Sequence, residues 1–253
     1  MAKYAVIGGT GVYDFKDGKS KIISTEYGDV TVDICNLYGK DVAFLARHGK
    51  NHNIPPHKIN YRANIKALKD LGVEYIFATA AVGSCNPAFK PGDVVVIKDF
   101  LDFTKCRKNT FYDGEDGKVF HLEMSAPYSK DLRNIIFNTA SKNDIELKGE
   151  GVYVCTEGPR FETASEIKMF QKLGGDVVGM TGVPEVCLAN ELGICYSSIA
   201  FVVNWCTGIV EKIHGEEIGE HKNKCSFNIK SLIEKIIQEG IDSGSCKCES
   251  VLL

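Results

Sequence analysis

Residues 157–185 read EGPRFETASEIKMFQKLGGDVVGMTGVPE, and their punctuation lays out a loop, a helix and a short strand in order. Gly158 and Pro159 break the apolar run Gly151-Val152-Tyr153-Val154 before them. Arg160, Phe161 and Glu162 then put a cation, an aromatic face and a carboxylate on one turn. Thr163 with Glu166 three residues on is a capping box, which predicts a helix start. Ile167, Phe170 and Leu173 follow at helical spacing and predict its apolar face. Gly174 and Gly175 end the helix, and Val177-Val178-Gly179-Met180 leads to Thr181. On this reading the helix is scaffold, and the loops on either side are candidate ligand sites.

The same alternation extends in both directions. Strand-like runs recur at Tyr4–Ile7, Asp41–Leu45, Tyr75–Ala78, Asp93–Ile97, Gly151–Val154, Asp176–Val178 and Cys195–Val203. Several are apolar without alternation, as strands buried on both faces are. Helical patterns lie between many of them, at 60–71, 128–143, 163–173, 184–192 and 228–239. The expectation is one α/β domain over 1–253, with a large mixed, mostly parallel central sheet flanked by helices. The polar stretch Lys105–Lys118 reads as a surface excursion, of a length often used at a subunit interface. Residues 240–253 read as a polar tail.

With 253 residues, 25% charged and 44% hydrophobic, the composition is that of an ordinary globular protein, and the net charge of −3 gives no electrostatic reason to expect nucleic acid. MAKYAVIGG lacks the zones of a signal peptide and no apolar run approaches a membrane span, so a cytoplasmic protein without a membrane partner is expected. Of the ten cysteines, Cys35, Cys85, Cys155, Cys187 and Cys195 sit in apolar patterns and read as buried hydrophobes. Cys246 and Cys248 form a CxC that lacks zinc-ribbon spacing; a disulfide, a redox pair and two free thiols all remain open.

Three loops suit an anion. Gly8-Gly9-Thr10-Gly11 follows the first strand, so its N–H groups can form a nest with the Thr10 hydroxyl as an added donor. A tight turn is the plain alternative, and a dinucleotide fingerprint is broken by Asp14 at the third glycine position. Arg47 and His48 stand side by side after the second run, a guanidinium and an imidazole that both suit phosphate. Ala78–Ser84, ATAAVGS, reads as a small-residue bend whose backbone can approach a ligand.

Together GGTG, LARHG, ATAAVGS, PGD before a strand, EGPRFET and GMTGVPEVCLANELG resemble the trimeric purine nucleoside phosphorylase and methylthioadenosine phosphorylase family, in order and over nearly the whole chain. The resemblance implies phosphorolysis: phosphate attacks the anomeric carbon of a purine nucleoside, with no metal or organic cofactor and inorganic phosphate as co-substrate. By resemblance, phosphate falls to Thr10, Arg47, His48, the Ala80-Ala81 backbone and Thr181, Met180 packs on the ribose, and Phe161 covers the base. Ala80 departs from the threonine many methylthioadenosine phosphorylases carry there. A homotrimer or dimer of trimers is implied, with His121 in the segment that reaches a neighbour's 5' group.

Base choice turns on two further positions. Adenosine-type members carry Asp where this chain has Asn204 and Cys206. An amide can donate to O6 and accept from protonated N7, while Glu162 accepts from N1–H, which suits a 6-oxopurine. Asn204, His48 and Thr181 are therefore the expected catalytic residues, acting on inosine, guanosine or 5'-methylthioinosine. A 5'-methylthioadenosine phosphorylase is the alternative, and a nucleoside-binding protein the non-enzymatic one. A binding protein would need no anion cluster beneath the sugar.

Overall fold

Non-alternating apolar runs become the interior strands, and the polar punctuation between them becomes the loops that carry ligand-type residues. The computed structural model describes residues 1–9, 18–114, 117, 119–210 and 215–242, with 215–224 as backbone only. Thr10, Gly11, Asp14, Cys246 and Cys248 lie outside the described residues. The chain runs β1 (Tyr4–Gly8), β2 (Lys19–Thr25), β3 (Gly28–Leu37), β4 (Lys40–Ala46), α1 (Tyr61–Asp70), β5 (Tyr75–Ser84), β6 (Val94–Phe103), α2 (Lys130–Lys142), β7 (Gly149–Thr156), α3 (Ala164–Lys172), β8 (Val177–Gly179), α4 (Gly182–Glu191), β9 (Cys195–Trp205) and α5 (Gly215–Glu239).

Among the described residues the strands form one sheet ordered β2-β3-β4-β1-β5-β8-β7-β6-β9, and β9 also pairs with β5. The pairings β1–β4, β1–β5, β5–β9, β6–β7 and β7–β8 are parallel. The pairings β2–β3, β3–β4, β5–β8 and β6–β9 are antiparallel, so the sheet is mixed and parallel pairing leads only narrowly. Part of the antiparallel share comes from the β2–β3 hairpin. Its first strand, KSKIIST, has no buried residue, so it offers no apolar run to read.

Two consequences of this order shape the site. First, β5, β8, β7, β6 and β9 pair in a closed ring, because Ile199–Phe201 of β9 pair with β5 on one side and β6 on the other. Second, β9 runs along one edge of β5 from Tyr75 to Ser84, while two strands share the opposite edge. β1 pairs there only as far as Ala78, and β8 pairs only at Gly83 and Ser84. Among the described residues Thr79 to Val82 therefore has no strand on that side. The stretch read as a bend is in fact strand throughout, with an open edge in its middle.

Side chains of successive β1 residues go to opposite faces, as the pleat requires. Ala5 and Ile7 pack with Ile65 and Leu68 of α1 and Val186 and Leu188 of α4. Tyr4 and Val6 pack with Leu132 and Ile136 of α2 and Ile229, Leu232 and Ile236 of α5. A smaller cluster seats Ile167 and Phe170 of α3 against Val154, Val178, Cys85 and Cys206. Leu173 does not join them: the helix ends at Lys172, and Leu173, at the C-cap where the turn leads into Gly174, is 54% exposed. Among the described residues no helix is long and apolar enough to cross a membrane.

The capping box at the start of α3 is formed in full, with Glu166 N–H donating to Thr163 Oγ1 and Thr163 N–H donating to Glu166. Replacing Thr163 with Ala should cost about 1 kcal/mol of stability, read as a lowered urea midpoint at unchanged slope. An unchanged midpoint would mean that tertiary packing alone fixes this helix start.

Candidate active site

The open edge of β5 is the floor of a cavity of about 480 Å3, lined by residues that follow the ends of β1, β4, β8 and β9. Gly9, Arg47, His48, Ala80, Ala81 and Thr181 line it together with Phe161, Glu162, Met180, Asn204 and Cys206. Arg47 touches β5 at Thr79, whereas Asn204 and Cys206 lie over Gly83. Four residue-to-residue steps of strand separate the two contacts, a span of roughly 13 Å.

Arg47 follows β4 and is buried, yet its charge is met. Nε and Nη2 donate to the two oxygens of Glu185, each at 2.6 Å, and Nη1 donates to the Thr79 carbonyl at 3.1 Å. Burial works against the guanidinium charge, but the Glu185 carboxylate more than offsets it and holds the Arg47 pKa above its ordinary value. Gly9 N–H donates to Thr79 Oγ1 at 3.1 Å, and a Cβ on Gly9 would lie 2.8 Å from the Thr79 carbonyl oxygen, so only glycine allows this approach.

His48 Nδ1 lies 2.8 Å from the Ile54 carbonyl, which can only accept, so Nδ1 carries the proton. Burial lowers the His48 pKa to about 4, with the Arg47 charge adding to the effect and the Ile54 bond opposing it. At neutral pH the ring is uncharged and Nε2 holds a lone pair. Its face rests on His52, with ring centroids 4.7 Å apart. Thr181 is buried at the entry to α4, where Tyr153 Oη accepts its N–H at 3.1 Å.

At the far end Glu162 is buried, and the Thr156 hydroxyl donates to its Oε1 at 2.7 Å. Oε2 has no partner among the described residues. Asn204 donates one amide hydrogen to the Trp205 carbonyl at 2.6 Å, leaving Oδ1 and one hydrogen for a ligand. The Cys206 thiol hydrogen-bonds Cys85; that bond and burial hold Cys206 well above the usual thiol range, so it is a neutral thiol. Met180 packs against Gly158, where φ of +66° and a Cβ that would meet Met180 Sδ at 2.6 Å both require glycine. Phe161 lines the cavity while 60% exposed.

Two residues named from the sequence lie off this chain's cavity, and His121 was expected to serve a neighbour's site. Arg160 is turned away from the cavity into a two-bond pair with Glu166 of the capping box. His121 is exposed and does not line this chain's cavity. Arg107, inside the polar excursion, is the largest omission from the sequence reading. Its Nη2 donates to the carbonyls of Thr156, Glu157 and Met180, and its Nη1 to Val183 O and Tyr61 Oη. It thereby ties together the loops that carry Glu162, Met180 and Thr181. No local pattern marks such a residue. His52 and Ile54 were also missed, although they follow RHG directly and line the cavity.

A model of the phosphorylase superfamily matches residues 3–238. The chain belongs to the phosphorylase superfamily. Among superfamily members, the 6-oxopurine nucleoside phosphorylase of Pyrococcus furiosus is 46% identical over 260 residues, covering 100% of this chain and 98% of its own. A probable S-methyl-5'-thioinosine phosphorylase of Methanocaldococcus jannaschii is 49% identical over 249 residues, covering 98% of this chain and 96% of its own. The methylthioadenosine phosphorylase of Schistosoma mansoni, solved with adenine, superposes with a TM-score of 0.85 at 34% identity, covering 93% of this chain and 90% of that one.

The buried neutral His48 gives this phosphorylase a signed pH dependence. Its folded pKa lies below the ordinary 6.5, so the unfolded chain takes up the proton first as pH falls. The stability it contributes is intact above about 6.5 and is lost as pH drops toward 4. Tm measured across that window should fall more steeply in the wild type than in His48→Asn. Parallel slopes would show that folding leaves the His48 pKa at its ordinary value.

Proposed function

We propose that this phosphorylase cleaves 6-oxopurine nucleosides, among them inosine, guanosine and 5'-methylthioinosine, to the free base and the ribose 1-phosphate or its 5-methylthio derivative. The observation that supports the reading is a cavity that Arg47, His48 and Thr181 line together with Glu162 and Asn204, with Arg47 meeting β5 at Thr79 and Asn204 lying over Gly83, roughly 13 Å along the strand. Phosphate and a purine nucleoside laid end to end need about that span. Inorganic phosphate is the co-substrate, and neither a metal nor an organic cofactor takes part.

In the reaction a phosphate oxygen forms the bond to C1' as the bond from C1' to N9 breaks, and the bonding pair leaves on the purine. Stabilisation is needed where charge develops, on the departing ring and under the oxocarbenium-like sugar. Arg47, His48, the Ala80-Ala81 backbone and Thr181 hold phosphate, with Thr10 joining them from outside the described residues. Met180 packs on the ribose and Phe161 covers the base. N7 takes up a proton from solvent as the bond to C1' breaks; Asn204 donates its remaining amide hydrogen to O6 and accepts from that N7–H through Oδ1, so the base departs neutral. Glu162 Oε2 accepts from N1–H, and the neutral Cys206 completes the wall.

A 6-aminopurine would present its N1 lone pair to the Glu162 carboxylate, which is repulsive. The alternative of 5'-methylthioadenosine draws support from the structural relatives, but the lack of a carboxylate at positions 204 and 206 speaks against it. The assembly is a homotrimer or a dimer of trimers, and His121 of this chain approaches the 5' group of a neighbour's substrate. The apolar side chains of Ile54 and Phe161, exposed while lining the cavity in the single chain, support a neighbour that covers them.

The test is kcat/KM for inosine, guanosine, adenosine, 5'-methylthioinosine and 5'-methylthioadenosine, each with and without phosphate. Base release should depend on phosphate and favour the 6-oxopurines; release that ignores phosphate would point to hydrolysis. Asn204→Asp should move the inosine to adenosine ratio toward adenosine by at least about tenfold, since a buried polar mismatch can cost up to 10⁴ in discrimination. An unmoved ratio removes Asn204 from base selection.

A further inference from the structure

Arg47 is the one arginine or lysine among the described residues that line the cavity, and its hydrogens can be counted. A guanidinium has five N–H groups. Glu185 takes the one on Nε and one on Nη2, and the Thr79 carbonyl takes one on Nη1. One hydrogen on each terminal nitrogen is left without a partner among the described residues. The pair that remains is a two-pronged donor, the shape that matches two oxygens of a tetrahedral anion.

Glu185 itself is fully buried and does not line the cavity. It projects from α4, and Tyr196 of β9 donates to its Oε1 at 2.7 Å, which fixes the plane of the carboxylate. The order of contact is therefore Tyr196, Glu185, Arg47, cavity. A guanidinium free to turn about its side chain could offer any of three edges; one clamped along Nε and Nη2 offers its far end.

We propose that Glu185 is the positioning residue of the phosphate site, turning the Nη1 and Nη2 end of Arg47 toward the anion as a fixed fork, with Tyr196 holding Glu185 in register. The proposal rests on the phosphorolytic reading above. It goes beyond that reading in assigning a buried residue, with no substrate contact, the control of phosphate affinity and not of nucleoside affinity. A carboxylate that serves only to neutralise a buried arginine would affect both substrates alike, through loss of the folded site.

The experiment is a set of steady-state measurements on the full chain with phosphate and inosine varied in turn. In the wild type, base release without phosphate would overturn the phosphorolytic reading and this proposal with it. With phosphate dependence established, Glu185→Gln should raise KM for phosphate roughly 10–100-fold, the range in which an ångström of misplacement acts, while KM for inosine stays within about threefold. Tyr196→Phe, which keeps the ion pair, should shift phosphate KM in the same direction by roughly 2–5-fold and serves if the first variant does not fold. In an Arg47→Met background, neither substitution should weaken phosphate binding further. Equal rises in both KM values, or a Tyr196→Phe enzyme with unchanged phosphate KM, would overturn the proposal while leaving phosphorolysis intact.

Discussion

The structure turns on one shared edge. β1 and β8 both pair with the same side of β5, β1 up to Ala78 and β8 from Gly83, and neither covers Thr79 to Val82. β8 runs antiparallel to β5 whereas β1 runs parallel, so their C-terminal ends meet over the gap from opposite directions. Backbone groups left without a ladder partner in the interior must be met by something else. Arg47 meets the Thr79 carbonyl, and the Thr79 side chain in turn holds Gly9. The gap is where residues of β1, β4 and β8 can converge on one ligand, because a continuous ladder would have filled it.

Electrostatically, the anion end is less cationic than its residue types suggest. The Arg47 charge is met by Glu185 at two bonds, and His48 is neutral with Nδ1–H committed to Ile54. The site can therefore bind an anion by oriented hydrogen bonds more than by excess charge. A buried pair of this kind contributes little net stability, yet removing one partner costs about 3–5 kcal/mol. Arg107 follows the same logic on the other wall. Its terminal nitrogens are spent on the carbonyls of Thr156, Glu157, Met180 and Val183, while its Nε lies 3.6 Å from the Glu157 carboxylate, which meets part of the charge. A planar donor array fits a set of fixed carbonyls from several loops at once, which a lysine could not do.

What could be read along the chain follows from which signals are local. Buried strands announce themselves by apolar runs, and the Thr163–Glu166 capping box is set by a spacing of three residues; both appear where expected. RHG, the PRFE loop and the GMTG turn were singled out because glycine and charge cluster at strand ends, and each contributes residues to the cavity wall. The hairpin of β2 and β3 was not, since β2 has no buried residue. The direction of a side chain was harder still. Arg160 sits on a turn read as a ligand loop yet pairs with its own helix start, and Arg107, unmarked in the polar excursion, crosses to three separate segments. Arg47 and Glu185 lie 138 residues apart, and no period or spacing joins them.

The base end shows why one position sets the character of its neighbours. Glu162 is buried with one oxygen held by Thr156, and the nearby Cys206 thiol is pushed up by its bond to Cys85, by burial and by the Glu162 charge itself. A site that already raises a thiol in this way is hostile to a second anion. A carboxylate at 206 would have to compete with Glu162 for any proton in the cavity, and in so small a space like charges favour protonation of one of them. With a neutral thiol at 206 and an amide at 204, Glu162 is the one carboxylate among the described residues that line the cavity. An acceptor-only group demands a donor from its ligand, so the proposed preference for a 6-oxopurine rests on leaving that carboxylate without a rival.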